Sequence, residues 1–288
     1  MRTTGEHALV AEPRHALRMF FALAYGITWL FHLPLALSAA GVGWWAYDPP
    51  GSVYYLLIIL GSFGPAAAGL VTLAATTGAG GVTELLRGCV RWRVPVVWYL
   101  VAVAGVLMLP TIATFAVPGA AAHFAFSSGA IVTIVINLVT FQLFVGALGE
   151  EPGWRGFALP RMQLRYGPLV ASLLLGVIWA GWHAPLLLLP DWADNKGGMT
   201  VWTVTQYVLM VVAISVLMAW IYNRARATVL LMILFHAAAN TSFTAMVLLF
   251  DGSETAESQI LLPALIGFGA AALVVIAATR GRLGLPRR

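Results

Sequence analysis

The chain has 288 residues, 60% of them hydrophobic and 9% charged, with a net charge of +5. An ordinary soluble domain carries roughly 25% charged residues, and no soluble core hides this much apolar surface, so lipid is the solvent for much of the chain. The basic residues sit in short connectors beside apolar runs, which points to a lipid bilayer as partner and not to nucleic acid. Cys89 is the single cysteine, so neither an intrachain disulfide nor a Cys-x-x-Cys motif can form.

The leader carries Glu6 and Glu12 before a long first apolar run, a pattern unlike a cleaved signal peptide. A membrane crossing needs about 20 apolar residues. Such runs fall at about 17–40, 52–76, 95–117, 128–149, 168–189, 200–222, 228–250 and 260–279. Gly/Pro-rich or charged connectors divide them, among them Asp48-Pro49-Pro50-Gly51 and Asp191-Trp192-Ala193-Asp194. No internal repeat, low-complexity stretch or long linker interrupts the pattern. The expectation is one integral membrane domain over 1–288: an all-α polytopic bundle of about eight transmembrane helices, multi-pass in the cell membrane.

Fifteen of the 16 Lys and Arg residues fall in alternate connectors: Arg2, Arg14 and Arg18; Arg87, Arg91 and Arg93; Arg155, Arg161 and Arg165; Arg224 and Arg226; Arg280, Arg282, Arg287 and Arg288. Only Lys196 falls opposite, in connectors that instead hold Asp48, Asp191, Asp194, Asp251, Glu254 and Glu257. The positive-inside rule then places both termini in the cytoplasm. Thr83 to Arg93 reads as a short amphipathic helix on the cytoplasmic surface.

Ionisable residues inside a bilayer are expensive and by default functional. Those left after the connectors are removed are His32, Glu150, Glu151, Arg155, His183 and His236, with Asn240 beside them; His123 belongs to an external loop. His32, alone in span one ahead of Pro34, reads as structural. The sequence Gly149-Glu150-Glu151-Pro152-Gly153-Trp154-Arg155 is followed by more apolar chain, and the turn comes only at Tyr166-Gly167. With 152–165 helical, Glu150 lies roughly 24 Å from that turn. It stands 17 residues before Gly167, while His183 stands 16 beyond it. In an antiparallel hairpin the two therefore share one depth. His236 and Asn240 lie 10 and 14 residues past Arg226, roughly 15–21 Å in, and their i, i+4 spacing puts them on one face. Pro152, Gly153 and Pro185 break or kink the helices nearby, which is tolerated where they line a cavity.

Such a set suits hydrolysis of an amide. Glu150 is placed to act as general base on a water held by His183, and His236 and Asn240 to donate to the oxyanion. Glu151 and Arg155 are spaced as an intrahelical ion pair. Trp154, Trp179 and Trp182 are candidate cavity walls. Two histidines and a carboxylate also make a catalytic zinc set with an open fourth position, and the residue pattern alone leaves both versions open.

Three motifs carry a family resemblance. Glu150-Glu151-Pro152-Gly153-Trp154-Arg155 reads Glu-Glu-x-x-x-Arg. Trp179-Ala180-Gly181-Trp182-His183 reads Phe-x-x-x-His with Trp for Phe. His236-Ala237-Ala238-Ala239-Asn240 reads His-x-x-x-Asn. Together they resemble the CPBP family, the CAAX-protease and bacteriocin-processing (Abi) group, over roughly residues 130–246. The resemblance implies a metal-free intramembrane endopeptidase, with no cofactor, acting on a membrane-embedded or lipidated peptide or protein. In it Glu150 and His183 activate water, His236 and Asn240 stabilise the oxyanion, and Glu151 and Arg155 support them. No His-Glu-x-x-His, Gly-x-Ser-Gly or Gly-x-Gly-Asp motif occurs, which excludes site-2, rhomboid and presenilin chemistries. Two alternatives from other classes are a proton-coupled carrier using midplane Glu and His and a non-catalytic immunity or scaffold protein.

Overall fold

The structure, a computed structural model, describes residues 15–190, 198–250 and 260–286. Arg2, Glu6, Glu12, Arg14, Asp191, Asp194, Lys196, Asp251, Glu254, Glu257, Arg287 and Arg288 lie outside the described residues. The described chain is helical, as the apolar runs require: in hydrocarbon a helix satisfies every backbone donor and acceptor within itself.

Helix α1 is Ala16–Leu37, α2 Gly51–Thr76, α3 Gly78–Cys89, α4 Val96–Thr114, α5 Ser128–Tyr166, α6 Pro168–Trp182, α7 Val201–Arg224, α8 Val229–Leu249 and α9 Leu261–Thr279. Among the described residues, seven helices are long and apolar enough to cross a membrane, which makes this a multi-pass membrane protein. The run expected at 168–189 is the exception. Its helix α6 has only 15 residues, roughly 22 Å against a hydrocarbon core of about 30 Å. It gives way to turns at His183–Pro185 and a short 3-10 helix, Leu186–Leu188. Pro185 lacks the N–H that helix continuation needs and disfavours helical backbone at Ala184. The break leaves His183 at the C-terminal end of α6.

Helix α5 joins the expected fourth span to the motif segment in one 39-residue helix, and it is not regular. Leu138–Ala147 and Pro152–Ala158 are π-helical, and only Leu148–Glu151 between them is α-helical. Pro152 removes one backbone donor at the start of the second π stretch. Such wide turns concentrate at functional sites.

Small residues let α5 approach α2 closely. A β-carbon on Gly149 would come 2.6 Å from the Ser62 carbonyl oxygen, and one on Gly153 would fall on the Pro65 carbonyl. These glycines stand four apart, the spacing that brings membrane helices into backbone contact. Elsewhere α6 packs along α7, α7 along α9, α1 along the second half of α2, and α8 along the 138–147 stretch of α5.

The basic connectors within the described residues gather at one end. Arg91 donates to the Arg226 carbonyl at 3.0 Å, Thr228 to the Arg91 carbonyl at 2.7 Å, and Asn223 to the Leu283 carbonyl at 2.9 Å. Helix α3 lies at this end with Leu85 buried and Leu86 exposed, and Glu84 pairs with Arg91 at 2.9 Å. Cys89 is half-buried there, and burial pushes its thiol up to about 11, far from the thiolate a nucleophile needs at neutral pH.

Candidate active site

Helices α5, α6 and α8 bring the three motifs together. Glu150 is 4% exposed, Glu151 and Arg155 0%, and His236 3%. All four are therefore away from bulk lipid and water, and Glu151, Arg155 and His236 are bonded to one another through a single carboxylate oxygen.

Two carboxylates on adjacent residues point different ways, as a roughly 100° helical step demands. Glu151 Oε1 accepts from Arg155 Nη1 at 2.9 Å, the expected intrahelical pair, and also from His236 Nδ1 at 2.7 Å. The second bond crosses from α8 and was not legible in the sequence. Because the carboxylate is already bonded to Arg155, His236 Nδ1 carries the proton, and the opposite nitrogen, Nε2, faces away from Glu151.

Glu150 takes a different partner. The indole N–H of Trp179 donates to its Oε2 at 2.7 Å. Trp179 was read from sequence only as a wall; it is a hydrogen-bond donor, a part that the Phe of the family pattern cannot play. The Arg155 guanidinium lies 4.1 Å over the same indole, and His236 meets it edge-to-face at 5.2 Å. The Trp179 carbonyl accepts from His183 Nδ1 at 2.9 Å. A carbonyl only accepts, so Nδ1 carries a proton and Nε2 is the nitrogen outside that bond. Glu150 thus bonds the residue one helical turn before His183, on the same face of α6.

The remaining geometry centres on Gly146, one turn before Glu150. A β-carbon there would lie 3.5 Å from Glu150 Oε1, 3.7 Å from His236 Nε2 and 3.7 Å from Asn240 Nδ2. Three polar groups of the predicted set therefore converge on one small space that no side chain fills. Gly146 and Asn240 are partly exposed while Glu150 and His236 are buried, so the space opens on the side of α5 and α8.

The other candidates separate from this centre. Of the expected walls, Trp154 and Trp182 instead pack between α1 and the site helices: Trp154 meets Phe20 at 5.5 Å and Trp182 at 5.8 Å, and Trp182 Nε1 donates to the Ala24 carbonyl at 3.3 Å. Trp182 also touches His183, ring to ring, at 4.6 Å. His32 is buried against Gly61 and bonds the Ile58 carbonyl at 3.2 Å, the structural part expected of it. His123 is exposed at the end of a 3-10 turn. Tyr207 on α7, absent from the sequence reading, meets the His183 ring at 6.1 Å; no motif spacing pointed to it. No three His, Cys, Asp or Glu side chains among the described residues stand as a metal-ligand group. His236 Nδ1 and Glu151 Oε1 are bonded to each other.

Residues 132–242 match the family described as type II CAAX prenyl endopeptidase Rce1-like. CAAX prenyl protease 2 of Methanococcus maripaludis is 29% identical over 148 residues, 51% of this chain and 54% of the relative. The chain thus spans about half the length of the curated relative it matches. Both comparisons bear out the CPBP resemblance read from the three motifs, and the family match covers the segment that carries them.

Proposed function

We propose that this multi-pass membrane protein, CPBP-like through its central segment, is an intramembrane endopeptidase that hydrolyses a peptide bond by glutamate-activated water. The convergence of Glu150 Oε1, His236 Nε2 and Asn240 Nδ2 on the space beside Gly146 carries the reading. Glu150, oriented by Trp179, takes a proton from water as the water oxygen adds to the scissile carbonyl. His183, its tautomer set by the Trp179 carbonyl, holds that water through Nε2. Asn240 Nδ2 and a protonated His236 Nε2 donate to the resulting oxyanion. Glu151 fixes the His236 ring, and Arg155 holds Glu151. Collapse of the intermediate expels the amine, which receives the proton from Glu150. The chemistry is metal-free in this reading, as the CPBP resemblance implies. The substrate is a membrane-embedded or lipidated peptide; the name of the matched relative makes a prenylated CAAX tail the first to try.

The test compares peptide termini in membranes of cells carrying the native chain and Glu150→Gln, alongside cleavage of a farnesylated CAAX peptide by purified protein in liposomes. New termini that depend on Glu150 and survive chelation are expected. Termini unchanged by Glu150→Gln, with no cleavage of any candidate, would refute the protease; flux of a small solute depending on Glu150 would favour a carrier. Stoichiometric zinc whose removal stops cleavage would overturn the metal-free version alone.

A further inference from the structure

We infer that Gly146 is the residue that keeps the reacting space open: its missing side chain is the place where water and the scissile carbonyl meet. The inference rests on the proposed hydrolytic reading and deepens it.

Gly146 lies in the π-helical part of α5, where its φ is not left-handed, so backbone freedom does not explain a glycine there. Close helix contact does not explain it either. Gly149 and Gly153 each face backbone of α2 where a β-carbon would collide, whereas the nearest atoms to a β-carbon on Gly146 stand at 3.5 and 3.7 Å, ordinary contact distances. An alanine methyl fits at 146 without displacing any of these neighbours. What it would meet are a carboxylate oxygen, an imidazole nitrogen and an amide nitrogen, one from each group assigned to the reaction on α5 and α8. A methyl there is an apolar plug seated among three polar atoms, in a space about the size of a water or a carbonyl oxygen. Glycine in a helix interior costs about 1 kcal/mol relative to alanine. At this position the cost has a counterpart in chemistry and none in packing.

The spacing adds a second point. Gly146 and Glu150 stand four apart on α5, and His236 and Asn240 stand four apart on α8. The two pairs face each other, so the one position without a side chain is also the one from which a side chain would reach all three groups. Any larger residue at 146 excludes the substrate carbonyl, the water or both. Gly146 is thus a steric determinant of the site and makes no bond itself.

The experiment uses the full chain in liposomes with Gly146→Ala, Gly146→Ser, Glu150→Gln and, as a control, Gly26→Ala, which adds a methyl to a helical glycine with no neighbour within 4 Å. Melting temperature, kcat and KM are measured on the peptide that the wild type cleaves. Gly146→Ala is expected to melt at or slightly above the wild type. Its kcat should fall on the order of 100-fold, as when one oxyanion donor is removed, with KM changed by less than about threefold, since remote contacts are untouched. Gly146→Ser should behave alike, and Gly26→Ala should keep wild-type rates. A fall in KM-dependent binding without loss of kcat would overturn the inference, because that is the mark of a distant subsite. So would marked destabilisation by both Ala and Ser, the mark of a packing role. Wild-type turnover by Gly146→Ala with Glu150→Gln inactive overturns the assignment to Gly146 and leaves the hydrolytic reading standing. Wild-type turnover by both variants overturns the reading of the site itself.

Discussion

Replacing Trp179 with Phe is the sharpest single perturbation, because it removes one hydrogen bond and little else. The ring stays apolar, stays edge-on to His236 and stays beneath the Arg155 guanidinium, although Phe is a weaker cation–π partner than Trp. The loss is the 2.7 Å bond from the indole N–H to Glu150 Oε2. A hydrogen bond to a charged group contributes about 1.5–3 kcal/mol net, and the site is dry, Trp179 being 4% exposed. If that bond holds the general base in its working rotamer, most of its energy is felt in the transition state. Since 1.4 kcal/mol is a factor of ten, kcat/KM should fall about 10- to 100-fold. Folding stability should drop by about 2–4 kcal/mol, because the buried Glu150 oxygen loses its donor and the smaller ring leaves a modest void. The measurement is single-turnover cleavage of the reconstituted protein beside its thermal melt. Wild-type kcat/KM in Trp179→Phe, with Glu150→Gln inactive, would refute the reasoning: Glu150 would then be oriented by other contacts, and Trp179 would be a packed wall after all.

Two further outcomes follow from the packing around the site. Arg155→Met leaves the Glu151 carboxylate buried at 0% exposure with its Oε2 already lacking a partner. Breaking a buried pair from one side costs about 3–5 kcal/mol, so the melt should fall sharply and should recover in part in the Arg155→Met, Glu151→Gln double variant; equal melting of the single and double variants would remove the ion pair from the account. Gly153→Ala would press a methyl onto the Pro65 carbonyl of α2. Overpacking typically costs about 1–3 kcal/mol, and since the obstacle is backbone the upper end is expected in a melt, with Gly26→Ala neutral beside it.

The class of fold was legible because hydrocarbon allows few solutions: an apolar run of the right length is a helix, and a buried ionisable residue is conspicuous in it. The motif residues were legible for the same reason, and the 100° step between Glu150 and Glu151 foretold two carboxylates with separate partners. What stayed hidden depends on departures from regular geometry or on contacts between distant helices. The π turns on either side of Leu148–Glu151 have no local signature beyond Pro152, and the bond from Trp179 to Glu150 has none at all. The Glu151–His236 bond joins residues 85 apart in sequence, and no spacing within either helix specifies it. Gly146 gave one faint signal, its place four residues before Glu150, but a glycine among many cannot be told from a packing glycine until its neighbours are known.

That hidden bond decides how the buried charges should be understood. Glu151, Arg155 and His236 form a chain of two charge-assisted bonds in which Arg155 Nε and Nη2 and Glu151 Oε2 have no hydrogen-bond partner. Burying ions with unmet hydrogen-bonding capacity is unfavourable against well-packed apolar residues of similar size, so stability alone does not account for the trio. Its geometric effect does. The trio pins the His236 ring by Nδ1, which fixes the direction of Nε2 toward the space beside Gly146, and it stacks Arg155 on the indole that holds Glu150. Two of the three groups that border that space, His236 and Glu150, are thereby oriented through a single carboxylate. In the proposed mechanism Glu151 is not a spare base beside Glu150; it is the positioning residue through which the first and third motifs act on the same point.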